Sequence, residues 1–129
     1  MNVPEVSSRT QEVANRLVEL CREGRNVEAI DELYHDNVVS CEMDNWPGGP
    51  KQIEGIKQVV EKNEQWMDSV AEMHSGKISD PVVAGNHFTI KMDYDVTFKE
   101  QGRRKMEELG VYQVDQSGKI VKEQFFYDV

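Results

Sequence analysis

The sequence has little of what marks secreted, membrane-bound or redox proteins. It contains two cysteines, Cys21 and Cys41, which lie 20 positions apart without CxxC spacing. Such usage is typical of a reduced intracellular compartment rather than of a disulfide framework. No apolar run is long enough to cross a bilayer, and the N-terminus lacks the apolar stretch of a signal peptide. We therefore expect a cytoplasmic protein that does not bind membranes.

Basic residues are also scarce, with 15 Lys and Arg against 24 Asp and Glu and a formal net charge of −9. An acidic surface repels the phosphates of nucleic acids, so we do not expect these polymers as partners. The three histidines are not spaced as metal ligands. The sequence also contains no HExxH motif, phosphate-binding glycine loop or dinucleotide fingerprint. It predicts neither a metal site nor a bound cofactor.

The chain of 129 residues has the length of one domain and shows no repeat or linker. We predict a single domain over residues 1–129, with residues 1–7 as a loose N-terminal arm. Helical signals fill the first half. Ser8, followed three positions later by a glutamine, forms a capping-box pattern before a first helix. Asn26 is placed to cap a short second helix, and apolar residues at helical spacing predict a long third helix from Ile56.

The second half alternates apolar and polar residues with a period of two, which predicts strands. Long strands are predicted at His87–Lys99, Arg104–Asp115 and Lys119–Asp128, joined by turns that contain glycine. Two further strands are expected at Val38–Met43 and Glu72–Ser79. Three helices and a meander of antiparallel strands indicate an α+β fold, in which the helices pack on one face of a curved sheet.

Two segments carry a resemblance to a known family. Leu33–Val39 (LYHDNVV) and Gly118–Tyr127 (GKIVKEQFFY), with the order of the elements, resemble the SnoaL-like family of the nuclear transport factor 2-like superfamily. The resemblance covers about residues 8–128. It implies a cone-shaped, cystatin-like fold whose curved sheet encloses a pocket, and a homodimer formed through the convex side of the sheet. Because the superfamily contains isomerases, cyclases, dehydratases and non-enzymatic scaffolds, the fold alone does not define the activity.

The resemblance also implies a catalytic carboxylate. The ketosteroid isomerases of this superfamily place an aspartate a few residues after the motif that begins with Leu-Tyr, and Glu42 occupies that position here. Their second carboxyl group, which donates a hydrogen bond to the substrate oxygen, falls near Gly110. Glycine has no side chain to donate, so steroid isomerisation is disfavoured.

Strand alternation independently places a set of side chains on the concave face. If Glu108 and Glu123 face the helices, they point toward Glu42, and three carboxylates in an apolar cavity raise the pKa of at least one of them. Such a group serves as a general acid while an ionised neighbour serves as a base. The alternative is that Glu108 and Glu123 lie at the rim or pair with Lys and Arg of adjacent strands. The other predicted wall residues on strands are Met92, Tyr94, Tyr112, Phe125 and Tyr127.

Four further residues are candidates for the same cavity. His74 is placed to relay protons, and the alternative is a histidine that is hydrogen-bonded at a helix–strand junction. Trp66 and Met43 are expected in the wall, although core packing alone would explain Trp66. Trp46, beside a proline and two glycines, is expected either to act as a lid or to anchor its loop.

The convex face of the sheet yields a prediction about partners. Leu109, Val111, Ile120 and Phe126 are expected to point away from the helices. An exposed apolar patch of this kind usually marks an interface. A two-fold homodimer is the simplest closed assembly that buries such a patch.

Two functions remain open on the sequence alone. The first is an enzyme without a cofactor that isomerises, cyclises or dehydrates a small, apolar, oxygenated molecule. Glu42 would abstract the proton, and Tyr112 or Glu108 would stabilise the oxyanion. The second is a non-catalytic module that binds a small hydrophobic ligand or associates with protein. A carboxyl group with a raised pKa in a closed cavity favours the enzyme, whereas a filled cavity favours association.

Overall fold

The computed structural model describes residues 3–44 and 49–128. Within these residues, three helices and seven strands follow one another in the order α1 (Val3–Arg22), α2 (Asn26–Leu33), β1 (Tyr34–Cys41), β2 (Gln52–Glu54), α3 (Ile56–Asp68), β3 (Val70–Ile78), β4 (Val82–Ala84), β5 (His87–Phe98), β6 (Gly102–Val114) and β7 (Ile120–Tyr127). None of these helices combines the length and the apolarity needed to span a membrane.

The strands form one curled sheet in the order β2-β1-β7-β6-β5-β3, and β4 also pairs with β5. The neighbours are antiparallel except for β1 and β7, which run parallel. The predicted α+β class, with three helices packed against a curved sheet, is confirmed, although the sheet is mixed rather than wholly antiparallel. Nothing local in the sequence indicates the parallel pair, because its two strands lie far apart in the chain and share no turn.

The alternation predicted for β5 is confirmed by the burial of its side chains. Phe88, Ile90 and Val96 are buried, whereas Lys91 is exposed on the other face. Phe88 and Ile90 belong to a core that includes Ala14, Leu17, Leu20, Ala29 and Ile30 of the first two helices. Because each large apolar side chain contributes roughly 1.5–3 kcal/mol when it is fully buried, this core holds the helices against the concave face.

The first helix begins earlier than predicted. α1 starts at Val3, so residues 3–7 form its first turns rather than a loose arm. Ser8 therefore lies inside the helix, and the prediction that it caps the N-terminus is wrong. Glu5 in the first turn favours the earlier start, because an acidic side chain complements the positive end of the helix dipole.

A bulge in β7 changes the face on which Ile120 lies. Gln113 lies opposite Lys122, whereas the next residue of β6, Val114, lies opposite Ile120. One step along β6 therefore corresponds to two steps along β7, which is the geometry of a β-bulge. Ile120 consequently faces the core with Val114 and is fully buried. The prediction that Ile120 contributes to the exposed convex patch is wrong.

Candidate active site

A cavity of about 410 Å³ lies between the helices and the concave face of the sheet. Side chains of α1, α2 and α3 form its helical wall, and side chains of β5, β6 and β7 form its sheet wall. Apolar and aromatic groups make up most of the lining. The charged groups among the described lining residues are Glu42, Lys62, Glu108 and Glu123.

Aromatic rings pack against one another in the wall of the cavity. The Trp66 ring of α3 lies 5.8 Å from the Tyr94 ring of β5 at an angle of 49°. Tyr112 stacks on Phe88 at 4.8 Å and meets the Phe125 ring edge-on at 6.3 Å. Such pairs contribute about 0.5–1.5 kcal/mol each beyond the burial of their area. The wall is therefore a packed apolar surface that a flat ligand can contact.

The close approach of Tyr112 explains why residue 110 is a glycine. A Cβ atom on Gly110 would lie 2.8 Å from the Tyr112 hydroxyl oxygen and equally close to its ring, which leaves no room for a side chain. A carboxyl group at residue 110 is therefore excluded by packing. Burial raises the pKa of Tyr112 well above its usual value, so its hydroxyl keeps its proton near neutral pH.

Glu123 is 3% exposed and lies at the centre of a hydrogen-bonded network. The Tyr34 hydroxyl donates to its Oε1 atom, and the Ser40 hydroxyl donates to its Oε2 atom over 2.7 Å. Lys62 Nζ in turn donates to Ser40 Oγ over 2.8 Å, which connects the sheet to α3. Burial raises the pKa of Glu123, although the two hydroxyl donors and the Lys62 ammonium oppose the rise.

Glu42 follows β1 and is held through both of its carboxylate oxygens. Lys62 Nζ donates to Oε1 over 3.3 Å, and the Tyr127 hydroxyl donates to Oε2 over 3.1 Å. The same ammonium group lies 5.3 Å from the centre of the Phe125 ring. Lys62 therefore compensates the negative charge of the Glu42 carboxylate at the edge of an aromatic wall.

Glu108 faces the same cavity from β6 in a different environment. No hydrogen bond or ion pair joins its carboxyl group to another residue of the part of the chain that the structure describes. Burial raises its pKa from 4.5 to about 7, and the nearby charges of Glu42 and Glu123 add to the rise while Lys62 opposes it. A large fraction of Glu108 is therefore protonated near neutral pH, where it can donate a hydrogen bond or a proton.

The three glutamates do not form a metal site. Across residues 3–44 and 49–128, no group of three His, Cys, Asp or Glu side chains is arranged to hold a metal ion. The charged groups instead consist of three carboxyl groups facing a single ammonium. The nearby negative charges of Glu42 and Glu123 add to the effect of burial in raising the pKa of Glu108.

The predicted residues on strands β5, β6 and β7 reach the cavity. The predicted site residues that line it are Glu42, Trp66, Met92, Tyr94, Glu108, Tyr112, Glu123, Phe125 and Tyr127. The inward orientation of Glu108 and Glu123 is therefore confirmed, and neither pairs directly with a Lys or Arg of a neighbouring strand.

Other predicted site residues lie elsewhere. His74 is exposed on β3, with Nδ1 2.8 Å from a Glu72 carboxylate oxygen and Nε2 2.6 Å from Thr97 Oγ1. It does not line the cavity, so the prediction that it relays protons there is wrong. Met43 is also absent from the lining, and its Sδ atom accepts a hydrogen bond from the backbone N–H of Tyr127. Trp46 lies outside the described residues, so its role as a lid or loop anchor stays a prediction.

Sequence reasoning misses Lys62, the cation of the site. The face predicted for α3 follows apolar residues, and a lysine does not belong to that pattern. Lys62 nevertheless lies three positions after Val59 and four before Trp66, which is the spacing of residues on one helical face. This spacing is the signal that could have identified it.

The fold and the site together define an α+β protein whose curled sheet and three helices enclose an aromatic cavity with opposed acidic and basic groups. A family model described as the SnoaL-like domain matches residues 8–127. The chain belongs to the SnoaL-like family, and the resemblance noted from the sequence is confirmed.

Solved structures support the same assignment. A Mesorhizobium loti protein, assigned provisionally as a SnoaL-like polyketide cyclase, is 32% identical with a TM-score of 0.82, and the match covers 90% of this chain and 97% of that one. A protein of the same provisional assignment from Jannaschia sp. CCS1 is 13% identical with a TM-score of 0.74 and coverages of 95% and 88%. An LEH-like epoxide hydrolase from M. tuberculosis is 15% identical with a TM-score of 0.65 and coverages of 95% and 84%. The last two show the fold alone. No curated protein sequence matches the chain.

Proposed function

We propose that the cavity is a cofactor-independent acid–base site that binds an apolar, oxygenated molecule and catalyses its isomerisation, cyclisation or dehydration. The contrast between two carboxyl groups carries this proposal. Glu42 accepts hydrogen bonds from Lys62 and Tyr127, whereas Glu108 has no partner among the described residues and a pKa raised to about 7. Two carboxyl groups in such unlike environments supply a base and an acid at the same pH.

The proposed reaction begins with Glu42 as the base. Its carboxylate removes a proton from the carbon next to a carbonyl group of the ligand, and the C–H electron pair forms the double bond of an enolate. Protonated Glu108 and the Tyr112 hydroxyl are placed to stabilise the charge that develops on the carbonyl oxygen. In an isomerisation, Glu42 returns the proton to a different carbon, so the reaction balances without a co-reactant.

Exchange of hydrogen for deuterium tests this proposal with a defined probe. Tetralone, an enolisable bicyclic ketone, is incubated with the protein in deuterated water, and its deuterium content is followed by mass spectrometry. Wild type is expected to accelerate exchange, and Glu42→Gln is expected to lose about 100-fold or more of that rate, because an amide is a poor proton acceptor. Glu107→Gln, which alters an exposed glutamate beside Glu108, serves as the matched control and is expected to keep the wild-type rate.

The same probe separates catalysis from binding. Exchange at equal rates in wild type and Glu42→Gln would contradict the proposed role of Glu42. The alternative, a non-catalytic binding module, predicts that tetralone stabilises the folded protein without accelerated exchange. A ligand present at 100 times its dissociation constant adds about 2.7 kcal/mol to the free energy of unfolding, which thermal unfolding detects.

We also propose that two copies of the chain associate through the convex face of the sheet. Leu109 and Phe126 lie directly opposite each other on β6 and β7 and are 45% and 41% exposed, with Val111 half-buried beside them. Light scattering at micromolar concentration is expected to give a dimer for wild type and a monomer for Leu109→Asp. Met67→Asp changes an equally exposed residue on α3 and is expected to stay dimeric. A monomeric wild type would contradict the proposal.

A further inference from the structure

The helical wall of the cavity carries two asparagines with unsatisfied side chains. Asn26 Oδ1, at the first residue of α2, and Asn63 Oδ1, within α3, are buried and receive no hydrogen bond from the described residues. Both asparagines line the cavity. Buried polar groups without a partner are costly and therefore rare in folded proteins. Two of them in the wall of one cavity require an explanation.

The fold itself does not use these side chains. Asn26 is expected from the sequence to cap α2, but it is the first helical residue, and no side-chain hydrogen bond caps the helix at Arg25. The capping prediction for Asn26 is therefore wrong. Asn63 lies in a helix interior, where asparagine is less favourable than leucine or alanine. An apolar residue at either position would fill the space without leaving an unsatisfied oxygen.

We infer that Asn26 and Asn63 form a polar subsite on the helical wall that binds a hydroxyl group of the ligand. This subsite is separate from Glu108 on the sheet wall, and the inference rests on the proposed function because it concerns the same cavity. A hydroxyl group both donates and accepts a hydrogen bond. A 180° rotation of an asparagine side-chain amide exchanges its oxygen and its nitrogen. A ligand hydroxyl group can form a hydrogen bond with the amide in either orientation.

The charged side chains of the cavity favour a neutral ligand over an anionic one. Among the described lining residues, three carboxyl groups, those of Glu42, Glu108 and Glu123, accompany one ammonium, that of Lys62. A ligand carboxylate or phosphate would add negative charge to this excess of acid, and Lys62 is already engaged with Glu42 and Ser40. The expected ligand is a neutral apolar compound with a hydroxyl group at the asparagines and an acceptor oxygen at Glu108.

A series of graded probes tests the subsite. Binding of naphthalene, a monohydroxynaphthalene, a dihydroxynaphthalene and naphthoic acid is measured by calorimetry. In wild type, we expect the dihydroxy compound to bind about 5- to 10-fold more tightly than the monohydroxy compound, which corresponds to one additional hydrogen bond. Asn63→Leu is expected to lose this gain and to bind naphthalene as well as wild type does. Naphthoic acid is expected to bind most weakly.

Two controls separate the subsite from a structural role. Asn15→Leu changes an exposed asparagine of α1 outside the cavity and is expected to leave all affinities unchanged. Without ligand, Asn63→Leu is expected to raise the unfolding midpoint, because it removes an unsatisfied buried oxygen, whereas the loss of a structural asparagine would lower it. Asn26→Leu is expected to lose the preference for the dihydroxy compound as well. This second variant keeps the subsite testable even if Asn63→Leu fails to fold.

The outcomes are distinguishable from a failure of the proposed function. If the probes bind but wild type and both leucine variants show the same hydroxyl preference, the subsite is overturned while the deuterium-exchange test of Glu42 stands. Tighter binding of naphthoic acid than of the neutral compounds would overturn the assigned ligand charge. If none of the probes binds wild type, the subsite and the proposed ligand pocket are both overturned.

Discussion

Replacement of Glu108 by glutamine is expected to remove a pH-dependent loss of stability. The pKa of Glu108 is about 7 in the folded protein against an ordinary value of 4.5, and burial is the largest cause. Between these two values the unfolded chain has released a proton that the folded protein still holds. The free energy of unfolding of the wild type therefore falls as pH rises through this window. The ionisation of Glu108 lowers the free energy of unfolding by about 3 kcal/mol in total. Glu108→Gln does not show this decrease, because a glutamine side chain does not ionise.

Urea unfolding at about pH 4.5 and about pH 7.5 measures this difference. Wild type is expected to lose about 3 kcal/mol more than Glu108→Gln between the two conditions. Glu123, whose pKa is also raised, titrates in both proteins and cancels from the comparison. Glu107 is the exposed neighbour of Glu108, and Glu107→Gln is expected to follow the wild-type profile. Parallel profiles for wild type and Glu108→Gln would show that Glu108 is not desolvated.

Removal of the Glu123 carboxyl group is expected to have the largest effect on stability. Glu123→Ala leaves the buried hydroxyl groups of Tyr34 and Ser40 without their acceptor and opens space beneath the cavity. Each buried hydroxyl group that is left without its acceptor costs roughly 1–3 kcal/mol. A domain of this size has a total stability of about 5–15 kcal/mol, so the variant loses a large part of it.

Two variants make the Glu123 prediction specific. Tyr34→Phe removes one donor of the network and is expected to cost about 1 kcal/mol in urea unfolding. Lys122→Ala changes the exposed neighbour of Glu123 on the same strand and is expected to stay within about 0.5 kcal/mol of wild type. A Glu123→Ala variant as stable as Lys122→Ala would contradict the structural role given to the network.

The fold is predictable from the sequence where local pattern decides it. The alternation along β5 and β6 indicates both the strands and the faces of their residues, because each side chain in a strand points opposite to its neighbours. The parallel pairing of β1 with β7 depends on contacts between distant parts of the chain. The burial of Ile120 depends on a bulge, and one extra residue in a strand reverses every face that follows it.

Some residues of the candidate site are also predictable from local pattern, and others are not. Glu108 and Glu123 are predictable because successive side chains alternate regularly between the two faces of the sheet along the parts of β6 and β7 that contain them, and the bulge lies beyond these parts. His74 is misplaced because β3 is an edge strand that is largely exposed before Ile78, so no burial pattern marks a cavity-facing side of it. Lys62 interrupts the apolar pattern of α3. A polar residue on a cavity-facing helix surface cannot be told from a solvent-exposed one by periodicity alone.

The proposed function depends on a raised pKa for the Glu108 carboxyl group in this cavity. A ¹³C NMR titration of protein labelled at the glutamate carboxyl carbons tests it most directly, with Glu108→Gln as the reference that assigns the resonance of Glu108. We expect the resonance that is missing from Glu108→Gln to titrate in the wild type with a midpoint near pH 7. A midpoint near 4.5, the ordinary value for glutamate, would contradict the acid–base assignment of the site.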